Sequence, residues 1–189
     1  MNTLEGKVIV ITGGAGGIGE ATARLAHAQG AKVVITDRES EPVQAIAESL
    51  GERARALAVD VSRREDNERM VAYAEEQFGR VDAAFLNAGI EGEVGPFDSR
   101  TDEAWSRVFD VNVHGVRFGV QAVIPALRRA GGGSIVMTSS VAGLRGAAGL
   151  SPYVSSKHAV IGMMRCLAAE LGPEGIRVNT LNPGPVDNR

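Results

Sequence analysis

Short apolar runs alternate with segments of helical periodicity along the whole chain. Apolar runs that are rich in β-branched residues are typical of strands buried on both faces. They predict strands at Val8–Thr12, Ala31–Thr36, Ala54–Val59, Val81–Leu86, Gly133–Ser139 and Ile176–Leu181. Apolar residues spaced three and four apart predict helices from Ile18 to Ala28 and at Glu41–Leu50, Arg63–Phe78, Thr101–Arg129 and Ser151–Leu171.

This alternation predicts an α/β fold with a doubly wound parallel sheet of the Rossmann type, in three layers. Right-handed crossovers would place the six strands in the order 3-2-1-4-5-6, with helices on both faces. Ligands of such sheets bind beyond the carboxyl ends of the strands, where the order reverses. The edge near that reversal is expected to gather Gly13, Asp37, Asp60, Asn87, Ser140 and Asn182.

Composition narrows the function classes. The 189 residues carry a net charge of −3, which argues against a partner that is a nucleic acid or an anionic membrane. No apolar run approaches the ~18 residues that a membrane span requires. The single cysteine, Cys166, fits a reducing compartment, so a cytoplasmic location is expected, and its apolar helix predicts a core position. His27, His114 and His158 show no metal-ligand spacing.

A glycine-rich turn follows the first predicted strand and leads into the first helix. Backbone N–H groups and the positive end of a helix dipole converge at such a junction, which suits a pyrophosphate. Gly14, Gly16 and Gly19 fit the pattern G-x-G-x-x-G, whereas Gly13, Gly17 and Gly19 fit T-G-x-x-x-G-x-G. The spacing alone leaves both registers open, and it also allows a turn without a ligand.

Asp37 ends the second predicted strand, 18 residues after Gly19. A carboxylate there can accept hydrogen bonds from both hydroxyls of an adenosine ribose, and it would repel a 2′-phosphate. Ser40 is the better N-cap for the following helix, which leaves Asp37 available for a ligand. Arg38 is suited to a 2′-phosphate, but the glycine turn adds no basic residue. The pattern therefore favours NAD over NADP.

Two further strand ends carry candidate cofactor residues. Asp60 has two interpretations that the sequence leaves open: it faces an adenine edge, or it joins Ser62 in the N-cap region of the next helix. The small residues of Asn87-Ala88-Gly89 would let a cofactor lie against the backbone.

Tyr153 and Lys157 lie four residues apart on one face of a predicted helix that begins with Ser151 as N-cap and Pro152 at its first position. An ammonium nearby stabilises a phenolate, so this tyrosine is a candidate general acid or base. The alternative is a surface tyrosine that packs on a lysine stem. Ser140, 13 residues before Tyr153, is suited to hydrogen-bond a substrate oxygen.

Asn112 falls inside the long predicted helix Thr101–Arg129 and is followed by Gly115. Both residue types are poor choices for a helix interior. They predict a kink or a functional contact.

Together these residues resemble the short-chain dehydrogenases/reductases over essentially all 189 residues. The matching motifs are Thr12-Gly13-x-x-x-Gly17-x-Gly19, Asp60, Asn87-Ala88-Gly89, Asn112, Ser140, Tyr153-x-x-x-Lys157, Arg177-Val178-Asn179 and Pro183-Gly184. The resemblance selects the register of Gly13, Gly17 and Gly19. It also implies a homotetramer or homodimer.

The resemblance implies a catalytic tetrad of Asn112, Ser140, Tyr153 and Lys157. It implies that the cofactor is bound by Gly13, Gly17, Ile18, Gly19, Asp37, Arg38, Asp60, Val61, Asn87, Ala88, Gly89, Tyr153, Lys157, Pro183, Gly184 and Val186. Asn188 stands where the family usually has a threonine that holds the nicotinamide amide. Members usually continue further, so residues 1–189 are expected to form a single domain that lacks the substrate-covering segment and the last strand.

The function that follows is hydride transfer between NAD(H) and a secondary alcohol or ketone. Tyr153 would act as general acid or base, Ser140 would position the substrate oxygen, and Lys157 would also hold the nicotinamide ribose. Asn112 would support a water relay. Glu91–Asp98 and Leu144–Leu150 would shape the substrate pocket, which favours an uncharged cyclic or secondary alcohol. The alternative is a regulatory protein that binds NAD without catalysis.

Overall fold

Strands and helices alternate through residues 3–186, the part of the chain that the computed structural model describes. The strands are β1 (Val8–Thr12), β2 (Lys32–Asp37), β3 (Ala54–Ala58), β4 (Ala83–Leu86), β5 (Gly133–Thr138) and β6 (Ile176–Leu181). The α-helices are α1 (Gly17–Ala28), α2 (Ser40–Leu50), α3 (Arg64–Phe78), α4 (Asp102–Phe109), α5 (Val116–Arg129) and α6 (Ser151–Leu171). Short 3₁₀ turns cover Phe97–Ser99, Val141–Gly143 and Gly172–Glu174, and a π-helix covers Asp110–Gly115.

The six strands within residues 3–186 form one sheet in the order β3-β2-β1-β4-β5-β6. Every neighbouring pair is parallel. Thr12 at the end of β1 pairs with Thr36 on one side and with Leu86 on the other, so these strands end level with one another. The predicted strand order is therefore confirmed, and the strand carboxyl ends meet at one edge.

Alternate residues of the strands supply two apolar clusters, one on each face of the sheet. Val10 and Val34 point to the cluster that holds the buried residues of α3, α5 and α6. Ile11 and Ile35 point to the other, with the buried residues of α1 and α2. Side chains of a strand alternate between its two faces, so nearly continuous apolar strands need helices on both sides. This confirms the three layers.

The predicted helix Thr101–Arg129 is not continuous. It is divided into α4 and α5 by the π-helix Asp110–Gly115, which contains Asn112. A π-helix loosens the α-helical ladder and is a known cause of a bend. The irregularity that Asn112 and Gly115 predicted is present, whereas the single uninterrupted helix is wrong.

Two predicted N-caps and one predicted core residue are also wrong. Ser40 and Ser151 are the first helical residues, and the N-cap positions belong to Glu39 and Leu150, whose side chains make no capping bond. Cys166 is exposed on α6. Its apolar neighbours predicted burial, but Cys166 is not among the residues of α6 that are buried, such as Val160 and Leu171.

Candidate active site

An open cleft of about 740 Å³ lies at the carboxyl ends of β1 to β4. It lies where the strand order reverses between β1 and β4, as predicted. Among the predicted cofactor residues, its lining includes Gly13, Asp37, Arg38, Asp60, Val61, Asn87, Ala88 and Gly89. Helix α4 and the π-helix contribute Glu103, Ser106, Arg107, Asp110 and Val111. The sheet edge and the helix after β4 thus enclose a space between them.

The glycine turn comes very close to itself and to β4. Gly13 has a φ of +65°, which L side chains rarely adopt, and a Cβ there would lie 2.8 Å from the Cα of Ala88. A Cβ on Gly19 would lie 2.1 Å from the carbonyl oxygen of Gly13. At Gly16 the same contact is an ordinary 3.5 Å. The turn therefore needs glycine at Gly13 and Gly19, two of the three glycines in the register that the resemblance selected, and has room for a side chain at Gly16.

Gly14 has a structural requirement that sequence reasoning missed. A Cβ at this position would lie 2.3 Å from the Cγ2 of Ile35, and its N–H donates to the Thr36 carbonyl at 2.9 Å. Gly14 thus packs the turn onto β2. Gly17 and Ile18 begin α1 directly after the N-cap Gly16, so the positive end of that helix lies beside the turn.

The Asp37 carboxylate is held in place by the backbone. Its Oδ2 accepts from the Ala15 N–H at 3.1 Å, and its Oδ1 accepts from the Arg38 N–H at 2.8 Å. The first bond links the end of β2 to the glycine turn. The Arg38 side chain is 70% exposed, and its guanidinium lies 3.9 Å from the Glu39 carboxylate.

Hydrogen bonds from side chains hold the loop that carries Asp60 and Val61 in place. Asp60 Oδ1 accepts from the Ser62 N–H at 3.0 Å and from its hydroxyl at 2.6 Å. The amide of Asn67, a fully buried residue, donates to the carbonyl oxygens of Val61 and Arg63 at 2.9 and 2.8 Å. Asp60 therefore lines the cleft and also closes a turn before α3. Sequence reasoning missed Asn67, whose partners depend on how the loop folds back onto α3.

A continuous series of hydrogen bonds links the glycine turn to Lys157. Asn87 donates from Nδ2 to the Gly13 carbonyl at 3.2 Å, and its Oδ1 accepts from the Thr138 hydroxyl at 2.9 Å. The Thr138 carbonyl in turn accepts from Lys157 Nζ at 2.9 Å. The Thr12 hydroxyl accepts from the N–H groups of Asn87 and Ala88. Four segments distant in sequence are thus fixed relative to one another.

Lys157 is buried, with 3% of its surface exposed. Burial disfavours the ammonium and lowers the pKa of Lys157 from 10.5 to about 8. Its Nζ lies 5.5 Å from the centre of the Tyr153 ring. It would also lie 3.1 Å from a Cβ on Gly89, which lines the cleft. Lys157 therefore stands between the cleft and the tyrosine.

Two neighbouring serines, Ser139 and Ser140, directly follow β5. Ser140 is buried and its Oγ accepts from the Ala142 N–H at 3.1 Å. The Ser139 hydroxyl donates to the Lys157 carbonyl at 2.9 Å and so ties α6 to the end of β5. Sequence reasoning gave Ser139 no role of its own. The only feature of the sequence that could have pointed to it is its place directly before Ser140.

Asn112 is fully buried and its side-chain amide is extensively bonded. Its Oδ1 accepts from the Ile90 N–H, and its Nδ2 donates to the Ile90 carbonyl, both at 2.8 Å. Nδ2 also donates to the Ser156 hydroxyl at 3.0 Å. The π-helix is thereby joined both to the segment after β4 and to α6, next to Lys157.

The remaining predicted cofactor residues lie after β6. The Pro183 carbonyl accepts from the Val141 N–H at 3.0 Å, which links this stretch to the turn after Ser140. Gly184 and Val186 are exposed. Asn188 lies outside the described residues, so its predicted contact with the nicotinamide stays a prediction. The residues that line the cleft include none of the four predicted tetrad residues, and they also lack the cofactor candidates Gly17, Ile18, Gly19, Pro183, Gly184 and Val186.

Residues 3–186 contain no group of three or more His, Cys, Asp or Glu side chains that could hold a metal ion. None of the helices in that range is long and apolar enough to cross a membrane.

Comparison with known proteins agrees with this geometry. A family model described as short chain dehydrogenase matches residues 7–189. Cyclohexanol dehydrogenase of an Acinetobacter species is 40% identical over 186 residues, which cover 97% of this chain and 74% of that protein. 3-alpha-(or 20-beta)-hydroxysteroid dehydrogenase of Mycobacterium tuberculosis is 39% identical over 183 residues, covering 97% and 70%.

A solved structure agrees as well. The 3-ketoacyl-(acyl-carrier-protein) reductase from Brucella melitensis, complexed with NADH, superposes with a TM-score of 0.93 at 36% identity. The match covers 96% of this chain and 76% of that one. Fold, site and both kinds of likeness lead to one conclusion: this chain belongs to the short-chain dehydrogenase family, whose members are oxidoreductases.

Proposed function

We propose that this protein transfers hydride between NAD(H) and a secondary alcohol or ketone, with Tyr153 as the general acid or base. The observation that carries the proposal is the buried Lys157, whose Nζ lies 5.5 Å from the Tyr153 ring centre. A buried ammonium beside a phenol favours the phenolate, the form that accepts a proton from an alcohol.

The residues around the cleft fit a dinucleotide. The turn between Gly13 and Gly19 leaves no room for a side chain at either residue, and the N-terminus of α1 favours a pyrophosphate there. Asp37, fixed by the Ala15 N–H, is suited to the adenosine ribose and disfavours a 2′-phosphate. These features support NAD rather than NADP as the cofactor. When bound, the nicotinamide supplies the hydride acceptor for oxidation and the hydride donor for reduction.

Each member of the tetrad then has a separate task. In oxidation the Tyr153 oxygen accepts the proton of the alcohol, and in reduction it returns a proton to the carbonyl oxygen. Ser140 holds that oxygen through its hydroxyl. Lys157 stabilises the phenolate and, lying close to Gly89, would hold the nicotinamide ribose. Asn112 fixes Ser156 and Ile90 around these groups, which supports the water relay that the resemblance implies.

The surface near the site favours an uncharged, cyclic substrate. Among the exposed large apolar residues of positions 3–186, all but Leu25 come at or after the carboxyl ends of β4, β5 and β6: Val94, Phe97, Leu144, Leu181 and Val186. Apolar residues that cluster at a site opening favour an apolar ligand. Cyclic alcohols are also named for two relatives, a cyclohexanol dehydrogenase and a hydroxysteroid dehydrogenase.

A homodimer or homotetramer and a cytoplasmic location remain predictions from the resemblance and the composition. Light scattering coupled to size exclusion checks the first, because a monomer of 19.8 kDa is readily told from its multiples.

The test is turnover of a panel of secondary alcohols, followed at the NADH absorbance band, with Tyr153→Phe. Loss of the hydroxyl is expected to lower kcat at least about 100-fold, while the Kd for NADH stays within about twofold because binding energy comes mainly from the cleft. Tyr73→Phe is the matched control, since Tyr73 packs on the core from α3. Normal turnover by Tyr153→Phe would refute the mechanism. NADH binding without turnover by the unaltered protein would favour the non-catalytic alternative.

A further inference from the structure

Two segments that follow β4 and β5 meet at a single carbonyl group. The Gly149 oxygen accepts from the Gly95 N–H at 3.0 Å and from Arg100 Nη2 at 3.4 Å. Gly95 and Arg100 belong to the first segment, residues 91–100, and Gly149 belongs to the second, residues 144–150. The second segment leads directly into α6, which carries Tyr153. This meeting point therefore joins the 91–100 segment, which is expected to shape the substrate pocket, to the start of the helix that carries Tyr153.

Arg100 is an unusual residue for an outer segment, because only 4% of its side chain is exposed. Its Nε has no hydrogen-bond partner. The carboxylate of Glu93 lies 3.5 Å from Nη1, but the Glu93 side chain is 83% exposed. A buried guanidinium with few and long bonds contributes little to folding, because its desolvation opposes its contacts. The Arg100 side chain therefore matters through its position, because it reaches from the 91–100 segment to Gly149 in the 144–150 segment.

Gly149 brings the same two segments into van der Waals contact. Its φ is +79°, and a Cβ there would lie 3.3 Å from the Cγ1 of Val94 and 3.5 Å from the Gly95 nitrogen. A side chain at this position would have to adopt a rare backbone conformation and push Val94 away. The outer end of the first segment is held separately, since the Phe97 ring packs edge-on against Trp105 of α4 at 5.9 Å.

We propose that Arg100 and Gly149 set the width of the substrate opening and thereby select the size of the ring that reaches Tyr153. Arg100 acts as a positioning residue through Gly149, and it does not touch the reacting atoms. The apolar wall of Val94 and Phe97 is held at a fixed distance from the start of α6. This inference rests on the proposed alcohol and ketone activity, whose substrate class it makes specific: small monocyclic ketones are preferred over fused bicyclic ones.

The experiment compares kcat/KM for cyclohexanone and for 2-decalone with NADH. Arg100→Met removes the bonds to Gly149 while keeping the volume of the side chain. The ratio of decalone to cyclohexanone kcat/KM is expected to rise about tenfold, the usual scale of discrimination by pocket shape, through KM rather than kcat. The Kd for NADH stays unchanged. Arg100→Lys, which keeps one donor, is expected to restore part of the preference. Arg129→Met, at a surface pair with Glu75, is the matched control and leaves the ratio as it is.

Two glycine variants test the same width without removing a charge. Gly149→Ala is expected to shift the ratio in the same direction as Arg100→Met. Gly172→Ala is the control: it lies at the end of α6 remote from Tyr153, a Cβ there meets nothing within 4 Å, and it is expected to leave the ratio unchanged.

The outcomes separate this inference from the proposed function. An unaltered protein that reduces ketones, with a ratio unmoved in both Arg100→Met and Gly149→Ala, overturns the inference alone. Failure of Arg100→Met, Arg100→Lys and Gly149→Ala to fold also overturns it, because the contact would then be structural. An unaltered protein that binds NADH and reduces no ketone refutes the proposed function, and the inference with it.

Discussion

The two halves of the strand-end edge are built differently. On the side of β1, β2 and β3, hydrogen bonds of 2.9–3.1 Å hold candidate cofactor groups such as the Asp37 carboxylate and the Val61 carbonyl. On the other side, the 91–100 and 144–150 segments are joined at the single Gly149 carbonyl, by a bond of 3.0 Å from the Gly95 N–H and a longer one of 3.4 Å from Arg100, whose Nε has no partner. Exposed apolar side chains such as Phe97 take the place of polar contacts there.

This difference suggests a division of labour. A cofactor of constant shape is best held by groups that are part of the sheet, whose position is set by many bonds at once. A substrate surface made of loops can change its residues without disturbing those bonds. The largest effects of substitution are therefore expected on the cofactor side, and effects on selectivity on the other.

Gly19→Ala gives the largest expected effect. The added methyl would lie 2.1 Å from the Gly13 carbonyl oxygen, so the turn has to move away from the pyrophosphate. We expect the Kd for NADH, measured by fluorescence titration, to rise at least about 100-fold, or about 3 kcal/mol. Gly16→Ala is the control and should bind NADH normally. An equal rise in the Kd for NADH in both variants would contradict the conclusion that the turn requires Gly19 and tolerates a side chain at Gly16.

Lys157→Met probes the buried lysine that lies between the cofactor cleft and Tyr153. Burial lowers the pKa of Lys157 from 10.5 to about 8. Below about pH 8 both folded and unfolded chains hold the proton, and the folded state carries the full burial penalty, about 3 kcal/mol. Between pH 8 and 10.5 only the unfolded chain holds it, so stability rises with pH. Above about pH 10.5 neither the folded nor the unfolded chain holds the proton, so Lys157 no longer makes stability depend on pH.

Urea unfolding across this range measures the effect. The free energy of unfolding of the unaltered protein, minus that of Lys157→Met, is expected to increase by about 3 kcal/mol from neutral pH to about pH 10.5. A difference that stays flat would mean that the ammonium is well solvated in the folded state. NADH oxidation with ketones should also be lost in the variant.

Asp37→Ala has the smallest of the three expected effects, because it removes one hydrogen bond to the turn, from the Ala15 N–H, and introduces no clash. Without the carboxylate the repulsion of a 2′-phosphate ends, and the exposed Arg38 side chain becomes a partner for it. We expect the NADP/NAD ratio of kcat/KM to rise about tenfold, equivalent to about 1.4 kcal/mol. A ratio that does not rise would show that Asp37 does not read the ribose.

The features that sequence reasoning predicted are those encoded locally. Five β-branched residues in Val8–Thr12, four of them apolar, specify a buried strand, and the spacing of Tyr153 and Lys157 specifies one helix face. The features it missed depend on partners far along the chain. Asn67 bonds a loop that folds back on it, Arg100 bonds Gly149, and Ser139 bonds the Lys157 carbonyl. A residue type and its neighbours in sequence do not reveal such pairings.

The interrupted helix shows the same limit. Asn112 and Gly115 signal an irregularity, but its form follows from bonds between Asn112 and Ile90 and Ser156, which lie 22 and 44 residues away. The predicted N-caps Ser40 and Ser151 were each one residue too late, because sequence fixes a helix start only to within one or two residues and neither Glu39 nor Leu150 caps through its side chain.

The π-helix also has a consequence for helical phase. At about 100° per residue, a continuous α-helix would separate the directions of Val108 and Val120 by about 120°. A π turn holds one extra residue and so takes back about 100° of that rotation. Both valines are buried, Val108 on α4 and Val120 on α5. The six residues Asp110–Gly115 thus act as a phase correction, and both valines are buried although Val108 lies against Gly92 and Val120 lies in the core.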